Sequence, residues 1–161
     1  MTTIGRRAAV LLPGIAIGVA LCSSAGSAAP APTAPAATTA QAAAALVSAT
    51  NAERRRAGCA PVQVDEQLRA TAQEHAADMA RGGYVAHTGQ DGTTSRERIS
   101  ESGYPDANGE NIASGYPTAA EVMDAWMHSP THRRNVLECR FTAIGVGYVA
   151  DGHHWVQDFG G

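Results

Sequence analysis

Two cysteines, Cys59 and Cys139, restrict this chain more than any other pair of residues. A bond between them would close a loop of about 80 residues, which the chain-entropy model values at roughly 4–5 kcal/mol. The third cysteine, Cys22, lies in an N-terminal stretch with the pattern of an export signal. Arg6 and Arg7 give that stretch a positive start, Ala8 to Leu21 is almost wholly apolar, and small residues follow from Ser23 to Ala29. An even cysteine pair in an exported chain implies a disulfide, the alternative being two separately buried thiols.

The signal is expected over residues 1–28, with cleavage after about Ala28. Its apolar run is short for a membrane span, and no later segment is apolar enough to make one. Leu21 stands where a small residue would precede a lipidated Cys22, which argues against lipidation. Residues 29–40, all Ala, Pro or Thr, cannot bury a core and read as a disordered linker. Residues 41–161 are left, enough for one domain with one core, expected to be a monomer. Every one of the 12 basic residues is Arg, and two leave with the signal. Ten then face 15 Asp and Glu, a balance near −5 that lacks the basic face nucleic acid requires.

Helix signals dominate the first part of the domain. Ala42 to Arg56 has apolar residues at Ala45, Leu46, Ala49 and Ala52 and is closed by Gly58. Its last turn, Arg54-Arg55-Arg56, suits a solvated helix C-terminus. Asp65 caps a second helix to about Arg81, with Leu68, Ala72, His75, Ala76 and Met79 on one face, which makes His75 a core histidine. A loop from Tyr84 to Gly92 leads to a short helix, Ser95 to Glu101. Asn108 to Ala113 is a turn entering a brief strand. Thr118 caps a helix through His128, and Ser129-Pro130 restarts it, Ser129 as N-cap, over Thr131 to Leu137. Phe141 to Val149 and His153 to Phe159 are two strands joined at Ala150-Asp151-Gly152. Helices first and strands last indicate an α+β fold.

Several of these segments together resemble the bacterial branch of the CAP superfamily, the SCP-domain proteins. They are Ala77-Asp78-Met79-Ala80, Tyr84-Val85-Ala86-His87-Thr88, Gly109-Glu110-Asn111-Ile112-Ala113, the run from Trp126 to Leu137, and Phe141 to Tyr148 with Trp155 to Phe159. The resemblance implies a three-layer α-β-α sandwich with a central cleft of two His and two Glu, whose histidines bind a divalent metal in some members. His87 matches the first His and Glu110 the first Glu. Ser129 stands where the second Glu is expected and Arg140 where the second His is expected, so half of the tetrad is replaced. The bacterial short helix supplies His132 instead.

The expected cleft therefore comprises His87, Glu110, Ser129, His132 and Arg140, with the first two and His132 converging in the main pocket. His87 and His132 are the candidate zinc ligands, and with Glu110 they would leave a position open for water. Arg140 decides between two sites: pointing away it permits a cation, pointing in it favours an anion. No His-Glu-x-x-His, Gly-x-Ser-x-Gly or phosphate loop is present, and Ser95 and Ser129 have no local nucleophile context. His128, His153 and His154 read as solvated. The resemblance implies a secreted, extracellular binding module for a lipid, sterol or other small ligand, with no required cofactor. A metal-dependent hydrolase using His87, Glu110 and His132 and a cell-envelope or spore-associated structural protein are the alternatives. Trp126 and Trp155 are expected to be buried.

Overall fold

The computed structural model describes residues 38–106 and 108–161; the export segment and residues 29–37 of the linker lie outside the described residues. Helix α1 spans Thr39–Arg56, so the last two residues of the expected linker are helical. Thr38 caps it, its side chain accepting from the Gln41 N–H while Gln41 reaches back to the Thr38 N–H. α2, Glu66–Gly82, opens at the Asp65 cap and stops at Gly83 in the left-handed region, φ 65°. α3 is Ser95–Glu101, α4 Ala119–His128 and α5 Pro130–Val136.

The strands are β1 Gln63–Val64, β2 Asn108–Ala113, β3 Ala143–Val149 and β4 His154–Gly160, in the order β1-β3-β4-β2. β1 runs parallel to β3, while β4 is antiparallel to both neighbours. Alternation sends successive side chains to opposite faces. Ile144, Val146, Tyr148, Trp155 and Phe159 pack with α1, α4 and α5 through Leu46, Val122, Trp126 and Val136. Ile112 and Val156 pack on the other face against Ala72, Ala76 and Met79 of α2. Helices cover both faces, which is the expected α-β-α sandwich. Both tryptophans are buried as expected, and their indole N–H groups donate to the carbonyls of Ile112 and Tyr116.

The Ile-Gly-Val-Gly-Tyr run exists because α2 lies directly on β3. A Cβ on Gly145 would sit 2.1 Å from the Leu68 carbonyl carbon, and one on Gly147 2.2 Å from the Ala72 carbonyl oxygen. No flexible side chain is available to move aside, so only Gly fits.

Cys59 and Cys139 are bonded, joining the end of α1 to the α5–β3 connection. Arg54 reinforces the same junction and corrects one expectation. Its side chain is fully buried, not solvated. Nε donates to the Ala60 carbonyl at 3.0 Å, Nη1 to those of Val136 and Glu138 at 3.1 and 2.9 Å, and Nη2 to that of Phe141 at 2.8 Å. Arg55 and Arg56 are exposed, as expected of a helix end.

Candidate functional site

β2 presents Glu110 to the α2 face of the sheet and Asn111 to the opposite face. Asn111 Nδ2 donates to the His132 carbonyl and to Gln157 Oε1, and Asn135 Nδ2 donates to the Glu110 carbonyl at 2.9 Å. These bonds fasten α5 to β2. Gly109 leaves room for them, since a Cβ there would stand 3.1 Å from the Phe141 ring and 3.3 Å from the Asn135 amide. The Gly-Glu-Asn segment is thus a joint between strand and helix as well as the carrier of an acid.

Glu110 is held on two sides. Oε1 lies 2.6 Å from His87 Nδ1, and Oε2 accepts from Arg98 Nη2 at 2.8 Å. Arg98 also donates to the main-chain carbonyls of His87 at 3.0 Å and Thr93 at 2.8 Å, so it positions the His87 loop as well as the acid. The side chain of Glu110 is 1 % exposed and that of His87 is 54 % exposed. The result is a buried carboxylate with an accessible imidazole fixed to it. The hydrogen bond to Glu110 raises the His87 pKa above the ordinary histidine value, against the opposing effect of partial burial.

Asp158 is the functional neighbour that sequence reading missed. It lies directly across from Glu110 in the β2–β4 register and is fully buried. Neither of its carboxylate oxygens meets a protein N–H or O–H donor. Burial first, and then the Glu110 charge, hold its pKa well above the usual carboxylate range. Two carboxyls this close in a dry environment do not both ionise. The raised pKa favours the protonated form of Asp158. His75, the expected core histidine, is buried nearby with Nε2 2.9 Å from the Ala86 carbonyl, and burial lowers its pKa.

His132 occupies the short helix α5. Its Nδ1 lies 2.9 Å from Ser129 Oγ, and its ring stands 6.3 Å from that of Trp126. Burial lowers its pKa, with a further lowering from the charge of His87. Ser129 departs from its expected role. It stands at the N-cap position, but its side chain makes no capping bond because the hydroxyl is engaged with His132.

Arg140 does not join this group. Its guanidinium pairs with both oxygens of Glu138 at 3.1 Å and its side chain is 76 % exposed. A separate cavity of about 470 Å³ is lined by Ala40, Ala43, Val47, Val64, Arg69 and Val146, with Thr39, Ala44, Glu66 and Gln73. Of the histidines expected at the surface, His128 is exposed, His153 is half-buried with Nδ1 2.8 Å from the Tyr148 hydroxyl, and His154 is buried. The last follows from its place at the start of a strand whose residues are all buried.

The residues do not fit the zinc centre that the resemblance raised. Glu110 spends one oxygen on His87 and the other on Arg98, whose positive charge opposes a cation. Two imidazoles remain, fewer than the three protein ligands of a catalytic zinc site. Among the described residues no group of three or more His, Cys, Asp or Glu is arranged to hold a metal ion.

Comparison with known proteins places these features in a wider setting. Residues 47–159 match the model of the CAP, cysteine-rich secretory protein, family. The uncharacterized protein YkwD of Bacillus subtilis is 42% identical over 116 residues, 71% of this chain and 45% of that protein. The chain thus spans less than half the length of this curated relative. Among solved structures, an extracellular SCP-domain protein from Bacillus anthracis superposes with a TM-score of 0.70 at 26% identity, over 76% of this chain and 41% of that one. An outer surface protein of Borrelia burgdorferi gives 0.65 at 25% identity, over 71% of this chain and 88% of that one.

Proposed function

The chain belongs to the CAP family of cysteine-rich secretory proteins, and on that premise we propose that it is an exported binding module whose ligand docks at the His87 imidazole. The observation that carries this reading is the contrast between His87 and its anchor: an accessible ring fixed at 2.6 Å to a carboxylate that is itself buried. A histidine serving only the core would be buried with its partner. The hydrogen bond to Glu110 favours the protonated ring, in which the outward nitrogen donates, and such a ring suits a ligand with an acceptor oxygen, as in a carboxylate, carbonyl or phosphate headgroup. Export is supported by the N-terminal signal pattern and by relatives described as extracellular or outer-surface proteins. No described helix is long and apolar enough to cross a membrane.

Calorimetry with hexanoate and with glycerol phosphate on wild type and on His87→Ala tests the reading. Binding that weakens at least tenfold in the variant is expected. Equal binding by both proteins would overturn it.

A second reading, lipid or sterol binding, is favoured by the apolar cavity of about 470 Å³ between α1 and α2, a volume within the usual range for small-molecule sites. Displacement of a fluorescent sterol, lost in Ala43→Trp, which fills the cavity, is the corresponding measurement.

A further inference from the structure

We propose that Ser129 and His132 form a nucleophile–base pair that transfers the acyl group of an ester or amide. The inference rests on the reading of the neighbouring His87 as the ligand site. Ser129 Oγ and His132 Nδ1 are 2.9 Å apart, within the reach a base needs to take a serine proton. Both side chains are half-buried, so each meets solvent while remaining held. Three features fix the base. Its main-chain carbonyl accepts from Asn111, its ring lies near Trp126, and its helix is tied to β2 through Asn135. An N-cap serine ordinarily spends its hydroxyl on the first turn of its own helix. Thr38, Thr94 and Thr118 do so at α1, α3 and α4, whereas the Ser129 hydroxyl is turned to an imidazole instead.

The chemistry balances with water as the second reactant. Ser129 Oγ attacks the carbonyl carbon while its proton passes to His132 Nδ1, and the carbonyl π pair moves to oxygen. That pair returns, the bond from carbon to the leaving oxygen or nitrogen breaks, and the leaving group takes the proton from Nδ1. Water then attacks the Ser129 ester, gives a proton to His132, and releases the acid as Ser129 Oγ recovers its hydrogen. The negative charge that develops on the carbonyl oxygen is of the sign that a protonated His87 would favour. Burial keeps His132 in the neutral form that a base requires.

The substrate class follows from the nucleophile: a serine hydroxyl with an imidazole base attacks a carbonyl carbon, as in an ester or amide. Of the nearby arginines, Arg98 is committed to Glu110 and Arg140 to Glu138, while Arg133 and Arg134 are exposed on α5. Sequence reading passed over Ser129 because its base lies three positions along in a helix, not in a Gly-x-Ser-x-Gly turn.

The test is labelling of the oxidised mature protein with a fluorophosphonate probe, read by intact mass and by mapping the modified peptide. One adduct is expected, on Ser129, with fluoride leaving as the Oγ–phosphorus bond forms. It should be absent in Ser129→Ala and form at least tenfold more slowly in His132→Asn, with unchanged circular dichroism for both. Ser129→Cys guards against misfolding: it should be alkylated by iodoacetamide faster than free cysteine, and slower again when combined with His132→Asn. No adduct on the wild type, or an adduct that persists in Ser129→Ala, would overturn the proposal. Hexanoate or glycerol phosphate calorimetry on Ser129→Ala separates the two readings. His87-dependent binding without any Ser129 adduct sinks the nucleophile alone, and a Ser129 adduct without His87-dependent binding sinks the binding reading alone.

Discussion

Two inward-facing arginines, Arg54 fully buried and Arg98 largely so, organise two regions of this domain, and they do opposite things. Arg54, fully buried, donates only to main-chain carbonyls, those of Ala60, Val136, Glu138 and Phe141. Arg98, whose side chain is 13 % exposed, gives one bond to a carboxylate and two to carbonyls, and its Nε meets no protein acceptor. The first region turns a charge into a staple. The second turns a charge into a support for another charge, Glu110, and through it for an accessible imidazole. The difference shows where this fold is saturated and where it is left poised. A buried ion whose bonds all end on backbone is holding the chain, whereas one that ends on a carboxylate, beside the donor-less carboxyl of Asp158, is holding chemistry.

Removing the staple is the largest way to test that contrast. Arg54→Met leaves at least the two carbonyls in fully buried bonds, those of Val136 and Phe141, without donors. An unpaired buried group costs about 1–3 kcal/mol, so the loss should be about 2–6 kcal/mol in urea unfolding. A loss below ~1 kcal/mol would show that the guanidinium is not structural. The disulfide holds the same junction and comes next. Cys139→Ser should lower stability by roughly 2–5 kcal/mol. Because Arg54 and the disulfide close one junction, the double variant should depart from additivity.

Asp158 tests the poised region through pH. Its carboxyl binds a proton more tightly in the folded than in the unfolded protein. Its contribution to stability is therefore fully present below the unfolded value of about 4 and is lost as pH rises toward the raised folded value. Across that window the slope reaches at most about 1.4 kcal/mol per pH unit. Asp158→Asn keeps the shape and abolishes the titration. Its urea stability should depend less on pH than that of the wild type between pH 4 and 7, and should exceed it at pH 7. Parallel curves for the two proteins would mean that Asp158 is ionised, and the account of the acid pair would fall.

The staple and the poised site were unequally legible in the sequence, for physical reasons. Helix limits followed from local chemistry: the Asp65 and Thr118 caps and the Gly82-Gly83 stop stand where the structure uses them. His87 and Glu110 came from the family resemblance, because a contact spanning 23 positions leaves no periodic trace. Arg54 was hidden among three consecutive arginines, of which only the inward-facing one is buried. Arg98 sat in Ser-Arg-Glu-Arg, which reads as an exposed short helix, and Asp158 in a strand where alternation gives a side but not a partner. Arg140 was assigned to the cleft by alignment to a family position, and Glu138, two residues before it, holds it outside.

The link from Glu110 to His87 can be isolated by proton titration of the histidine ring resonances. In the wild type His87 should titrate above the ordinary value near 6.5 and His132 below it. Glu110→Gln can still accept a hydrogen bond but carries no charge, so the His87 midpoint should move down. Release of that ring's positive charge at neutral pH should let the His132 midpoint move up. An unmoved His87 would mean that Arg98 neutralises Glu110 so fully that the imidazole does not sense it.

The smallest expected effect bears on Ser129. Thr118 and Ser129 precede consecutive helices and differ in what their hydroxyls do. Thr118 Oγ1 accepts from the Glu121 N–H, and the Glu121 carboxylate answers on the Thr118 N–H. Thr118→Ala should therefore cost about 1 kcal/mol, the usual value of an N-cap. Ser129 makes no such bond, and Pro130 already fixes the first turn of α5. Its hydroxyl contributes one half-buried bond to His132, and replacing it by Ala leaves Nδ1 free to turn to water. Ser129→Ala should cost less than about 0.5 kcal/mol, within the range of ordinary surface changes. Equal losses in the two variants, read from thermal unfolding under identical conditions, would return Ser129 to a capping role. A near-silent Ser129→Ala beside a costly Thr118→Ala would leave a serine kept against a histidine without a structural reason for it, the condition a nucleophile–base pair requires.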